Sequence, residues 1–304
     1  MKSRRIVIGV CLVVCVSVGI AAAVTFVLFR NVIATPTAQE TDTYGLNDSS
    51  VIAGDYVDSG GVQHGMLLAS VASVVPKLTT VDRADCQTGP GSTSIAFYSV
   101  NNKGVAAGWC TNTNNSQIGF TYSQGTFTDI SIPGATLVNA DGINDAGDVV
   151  GTYTDANGLQ HGYLLSGGTL TTLDPPGTIS GNTAWSINNS GVITIYGTDP
   201  NGTFLSFTTA DKGGTYTPFH DPNEGPTGTV IHQISNNGDI VATVFDVNGN
   251  RHGSLYHAGT FTDYDDPNEA NSTRGNGVNN SLVVVGRWGA GVFGGTGYQG
   301  IAKP

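Results

Sequence analysis

Three histidines stand at matching places along the chain, His64, His161 and His252, each followed by Gly. Three imidazoles would suit zinc, which holds its nitrogen ligands at about 2.1 Å. The spacing argues against it. They recur in alternate copies of one repeating unit, which puts them roughly 25 Å apart if each lies on the third strand of its own sheet, at a strand spacing of about 4.8 Å. The role expected of them is a ring hydrogen-bonded to a neighbouring strand. Asp55 with Asp58, Asp155, Asp199 and Asp246 sit in turns that resemble calcium loops only loosely. They lack the fuller series of alternating acidic ligands, and an Asp capping its own turn accounts for them. No metal site and no cofactor is expected, calcium being the only candidate.

A sharper set is Tyr44, Tyr98, Asp141, Trp185, His232 and Asn276, which share one position of the repeat, just before a Gly-Ile-Asn-like element. The copies agree around this position and differ at it. Residues of innermost strands converge on a common axis, so this ring alone brings side chains of several units to one ligand. Aromatic rings mixed with polar groups suit sugars or peptides, and these six are the candidate ligand-binding residues. No nucleophile elbow, zinc-protease motif or phosphate-binding loop is present, and among the many carboxylates nothing selects a catalytic pair.

The element that positions them is a repeat. The apolar residues Leu46, Val100, Ile143, Ile187, Ile234 and Val278 mark six copies at spacings of 43 to 54 residues. Each copy continues with a β-rich run (AGDVVGTY, NGDIVATV), a polar turn of the TDANG or TDPNG type, a second run (HGYLLSG, HGSLYHA) and an alternating run (TLTTLD, TFTDYD). Asp followed by Asn-Gly between apolar runs is a strong hairpin signal. Four short antiparallel strands repeated six times predict an all-β, six-bladed β-propeller. The last copy ends at its third strand, and Asn31–Pro36 has the spacing either to pair there and close the ring or to act as a linker. The 43 glycines and the low charged fraction, 12%, fit turn-rich β structure.

Lys2, Arg4 and Arg5 precede an uncharged apolar stretch from Ile6 to Phe29, closed by Arg30. At about 1.5 Å per residue it is long enough to cross a ~30 Å hydrocarbon core as a helix. The positive flank predicts a cytoplasmic N-terminus and an extracytoplasmic remainder. An uncleaved signal anchor is preferred to a signal peptide, whose apolar region is shorter, although Ala21–Ala23 offer a cleavage site. The expected division is residues 1–30 as membrane segment, 31–41 as linker or closing strand, and 42–304 as propeller. The chain carries a net charge of −11, and after Arg30 its 8 basic residues stand against all 23 acidic ones, which argues against nucleic acid. Cys86 and Cys110 are the only cysteines of the exported part and are expected to form a disulfide.

The units QHGYLLSGGTLTTLDPPG and RHGSLYHAGTFTDYDDPNEAN resemble the bacterial extracellular HAF repeat family, named for a His-Ala-Phe motif. Here the middle position is Gly, in His64-Gly65-Met66, His161-Gly162-Tyr163 and His252-Gly253-Ser254. Copies two, four and six place Ile118, Thr203 and Gln299 at the His position. The resemblance covers roughly residues 42 to 302 and implies an exported, propeller-like repeat protein; it carries over no catalytic residue. The expected function is an envelope-anchored module that binds a glycan, peptide or protein. The alternatives are an extracellular polysaccharide hydrolase or lyase, or a structural surface protein.

Overall fold

The computed structural model describes residues 25–32, 34–35, 37–69, 77–86, 95–266, 271–289 and 296–303. Twenty-four strands account for all its regular structure, arranged as six blades of four. Blade three shows how one unit forms. Leu137–Ile143, Val149–Thr154, Gln160–Ser166 and Thr169–Leu173 pair in sequence order as an antiparallel meander. Its second turn is held by Asp155, whose Oδ1 accepts from the backbone N–H of Asn157 at 2.8 Å and of Leu159 at 2.9 Å, while Gly158 takes the positive φ of 83°. Asp199 and Asp246 build the same turn in blades four and five. These carboxylates therefore serve their own loops.

The innermost strands are Glu40–Leu46, Ile95–Val100, Leu137–Ile143, Ser180–Ile187, Thr229–Ile234 and Arg274–Val278. Each packs against the next, and the sixth packs back on the first, so the blades form a closed ring about an axis. Ring closure differs from the expectation in its segment. Thr25–Val32 pairs antiparallel with Thr296–Lys303 as the fourth strand of blade six, so the two ends of the described chain share one blade. Only Asn31 and Val32 of the segment Asn31–Pro36 belong to it.

This placement corrects the transmembrane reading. Thr25 to Phe29, taken as the end of a membrane helix, are strand, and the propeller begins before residue 31. The run TFVLF is rich in β-branched and aromatic residues, which favour strands, and it covers an edge that blade six would otherwise leave unpaired. Residues 6–24, with Ala21–Ala23, lie outside the described residues. No helix among the described residues is long and apolar enough to cross a membrane.

The core lies between blades. Val150, Leu164 and Leu173 of blade three pack on Ala184, Ile193, Ile195 and Phe207 of blade four, and similar clusters fill the other interfaces. Between blades one and two the cluster includes Cys86 and Cys110, which are disulfide-bonded as expected. A bond across this loop contributes about 3 kcal/mol. The repeated Gly of the second strand has a steric cause. A Cβ at Gly54, Gly108, Gly151 or Gly286 would collide with the innermost-strand carbonyl of Asp42, Ala96, Asn139 or Arg274.

Strand register also corrects two alignments. The place of His161, opposite Tyr153, is filled in blade four by Leu205 opposite Gly197 and in blade six by Thr296 opposite Trp288, not by Thr203 and Gln299. The three true histidines tie the second turn to the end of the outer strand. His64 lies between Asp82 (2.7 Å) and Asp58 (3.4 Å), His161 between Asp174 (2.8 Å) and Asp155 (3.8 Å), and His252 between Asp265 (2.9 Å) and Asp246 (3.6 Å).

Candidate functional site

Every innermost strand breaks its pairing at one equivalent place, and Ser180–Ile187 does so a second time between Ser180 and Thr183. The register slips between Thr43 and Gly45, Phe97 and Ser99, Ala140 and Gly142, Ala184 and Ser186, Ile231 and Ile234, and Gly275 and Gly277. The residues inside these bulges are Tyr44, Tyr98, Asp141, Trp185, His232 with Gln233, and Asn276. They are the six positions singled out by the repeat, joined by Gln233. A bulge leaves one residue out of the ladder and re-aims its side chain. Here it turns side chains that would lie between blades toward the axis.

Around five of the six lies a cavity of about 560 Å³ at one end of the axis. Aromatic rings make a continuous wall. Tyr44 lies 4.5 Å from Tyr98, Tyr98 stacks on Trp185 at 5.4 Å, and Trp185 meets His232 edge-on at 4.7 Å. Trp109 and Tyr196 extend this wall from the second strands. Asp141 does not line the cavity. It is buried, its Oδ2 accepting from the Thr152 hydroxyl at 3.2 Å, and burial raises its pKa to about 8 against that hydrogen bond.

The remaining wall is charged. Asp42 pairs with Arg287 at 2.9 Å and accepts from the Tyr44 hydroxyl at 3.3 Å, and Asp55 accepts from Gln63 at 2.7 Å. Burial raises the pKa of Asp42, with Arg287 opposing; burial and then the Asp42 charge push Asp55 well above the usual carboxylate range. Burial lowers His232 to about 3, aided by Arg274 and Arg287, so its ring is neutral near pH 7. Its Nε2 lies 3.2 Å from the Thr243 hydroxyl. Asp42 Oδ1, Asp55 Oδ1 and His232 Nδ1 are buried without a hydrogen-bond partner, an arrangement that costs stability.

A second ring escaped the sequence reading. The residue after the repeated Gly, or its equivalent, is Asp55, Trp109, Thr152, Tyr196, Thr243 and Arg287, and all but Thr152 line the cavity. These copies disagree as strongly as the first ring does. That disagreement, beside a Gly on which most copies agree, was the available signal. Asp42 and Arg274, two places before Tyr44 and Asn276, complete the charged wall.

The opposite end of the axis is closed. Asn47, Asn101, Asn144, Asn188 and Asn279 each donate from Nδ2 to a backbone carbonyl of the next blade, at 2.9 to 3.4 Å. The residues after them form a second ring: the N–H of Asp48 reaches Asn102, that of Asn102 reaches Asp145, that of Asp145 reaches Asn189, that of Asn189 reaches Asn236, and that of Asn280 returns to Asp48. Between this floor and the cavity, Gln233 crosses from blade five to bind both the N–H and the carbonyl of Leu46 and the N–H of Val278. The space left at this end is about 40 Å³. Among the described residues no group of three His, Cys, Asp or Glu side chains could hold a metal ion.

A closed ring of four-stranded blades with one open axial mouth defines a six-bladed β-propeller. No family model matches the chain, and no curated protein matches it. Solved propellers do resemble it. A mutant of the Aleuria aurantia lectin in complex with Fucalpha1-6GlcNAc superposes with a TM-score of 0.55 at 12% identity, over 88% of this chain and 97% of that one. The Hadza microbial sialidase Hz136 gives 0.55 at 14% identity, over 88% and 66%. A Trypanosoma rangeli sialidase in complex with 2,3-difluorosialic acid gives 0.53 at 12% identity, over 86% and 54%. At these identities the likeness is one of fold alone.

Proposed function

We propose that the protein is an exported propeller that binds a glycan in its axial cavity. The observation that carries this reading is the convergence of the bulged residues Tyr44, Tyr98, Trp185, His232 and Asn276 on one open cavity of about 560 Å³. That size accepts a mono- or disaccharide, and the mix of ring faces with polar and charged side chains suits the apolar faces and hydroxyl rims of sugars. Solved glycan-bound propellers of the same fold support it. The Cys86–Cys110 bond and the basic, then apolar, residues ahead of Thr25 support an extracytoplasmic location in the cell envelope. The repeat's likeness to the HAF family points the same way.

The test is a glycan array probed with the purified protein and with Trp185→Ala, with circular dichroism confirming that both are folded. The reading predicts saturable binding that falls at least tenfold in the variant. Equal binding by both proteins, or none by either, contradicts it. Hydrolysis or elimination of a bound glycan by the wild type would move the protein into the enzyme class.

A further inference from the structure

The protein is short of basic residues, yet three of its arginines, Arg251, Arg274 and Arg287, line this one cavity. They belong to neighbouring places in the fold. Arg274 and Arg287 face each other across the first two strands of blade six, and Arg251 begins the third strand of blade five, where its carbonyl accepts from the Thr273 N–H at 3.1 Å. Among the described residues the ion pairing of this cluster is limited to Arg287 with Asp42. Arg251 lies over the Phe245 ring at 5.6 Å, which holds the guanidinium beside the cavity without neutralising it. Arg274 has neither support.

Such crowding has a cost that shows in the groups themselves. Burial, then Arg287 and Arg251, lower Arg274 to about 10, and burial, then Arg287, lower Arg251. The same cations help keep His232 neutral. Three guanidinium groups gathered in one half-buried cavity, with only one of them ion-paired among the described residues, would be relieved by a bound anion. The carboxylates of the same cavity narrow the anion. Glu40 and the Arg287-paired Asp42 also line the cavity and disfavour a doubly charged phosphate, whereas a singly charged planar group fits the guanidinium fork in two parallel hydrogen bonds.

We propose that Arg251, Arg274 and Arg287 form a subsite for the carboxylate of an acidic sugar, with the aromatic wall of Tyr98 and Trp185 taking the sugar ring. This rests on the glycan-binding reading and adds the ligand's charge to it. Acidic saccharides are thereby preferred over their neutral counterparts, and the preference weakens as salt rises.

The experiment is calorimetric titration of the purified protein with three oligosaccharides: one carrying a terminal glucuronic acid, its carboxyl-reduced counterpart carrying glucose, and a sulfated neutral one. The subsite predicts that the uronic acid binds at least tenfold more tightly than its reduced form. In Arg274→Gln the ratio of the two affinities falls to about one. Arg274→Lys keeps the charge but loses the fork and retains only part of the preference. A second readout does not need ligand: removing a crowded cation should raise the melting temperature of Arg274→Gln above that of the wild type. Equal affinity for the uronic acid and its reduced form overturns the subsite but leaves the glycan-binding reading standing. Preference for the sulfated sugar over the uronic acid overturns the assignment to a carboxylate. Binding of none of the three overturns the subsite, and the glycan array then decides separately whether any sugar binds.

Discussion

The two ends of the propeller axis are built from residues a few places apart on the same strands, and they are satisfied in opposite ways. At the closed end the copies agree. An Asn repeated around a ring meets the carbonyl of the next blade, so each copy completes its neighbour and little space remains. At the open end the copies differ. Asn276 alone still donates to a carbonyl of the next blade, that of Thr43 at 2.9 Å; Tyr44, Tyr98, Trp185 and His232 make no such bond among the described residues, and buried polar atoms of Asp42, Asp55 and His232 stay unpartnered. Repetition lets polar groups satisfy one another; variation leaves an open cavity of mixed chemistry.

The sharpest way to break this contrast is to change one buried polar side chain of each ring. At the open end, Asp141→Asn should stabilise the protein. Folded Asp141 keeps its proton up to a pKa of about 8, whereas the unfolded chain releases it near the ordinary 3.8, so the wild type loses stability as pH rises through that window. The variant is spared a loss of up to about 1.4 kcal/mol per pH unit. Its advantage in thermal or urea melts should therefore widen from pH 4 to pH 8 and then level off. A gap that is constant with pH would show that Asp141 titrates normally and is not buried as described.

At the closed end the sign reverses. Asn101 is buried, donates to the Asn144 carbonyl at 2.9 Å and accepts from the N–H groups of Lys103 and Val105. Asn101→Ala leaves these groups unpaired and should cost about 2–3 kcal/mol in urea melts at any pH between 5 and 9. A neutral result there would mean that the agreement among copies has a cause other than closure.

How far the sequence could be read follows the same division. The closed end and the blades were legible because repetition exposes them: apolar alternation, Asp-Asn-Gly turns and the recurring Asn need only self-comparison. The first ring of the open end was legible as a place where copies disagree. Its reason, a bulge in every innermost strand, was not, because a bulge depends on pairing register. Arg251, Arg274 and Arg287 were invisible as a cluster, since three strands from two blades bring them together. The strand Thr25–Val32 was hidden inside an apolar run, where length alone suggests a membrane helix and only its partner Thr296–Lys303 shows otherwise.

The smallest effect concerns neither end but the rim. The pKa of His252 is raised: burial opposes this, but hydrogen bonds and charge from Asp265 and Asp246 outweigh it. Its clamp therefore contributes stability that is full below the unfolded value of 6.5 and lost as pH rises through the higher folded value. His252→Gln should cost no more than about 0.5 kcal/mol at pH 5.5 and nothing measurable at pH 9. A cost that persists at pH 9 would assign the ring a packing role instead.

The central claim, that the two ends divide stability from recognition, is tested most directly by one titration series. The tightest glycan from the array is titrated into the wild type, Trp185→Ala and Asn101→Ala, with Kd as the readout. The account predicts a Kd at least tenfold weaker for Trp185→Ala and within about twofold of wild type for Asn101→Ala. Comparable losses in both variants, or a larger loss in Asn101→Ala, would contradict it.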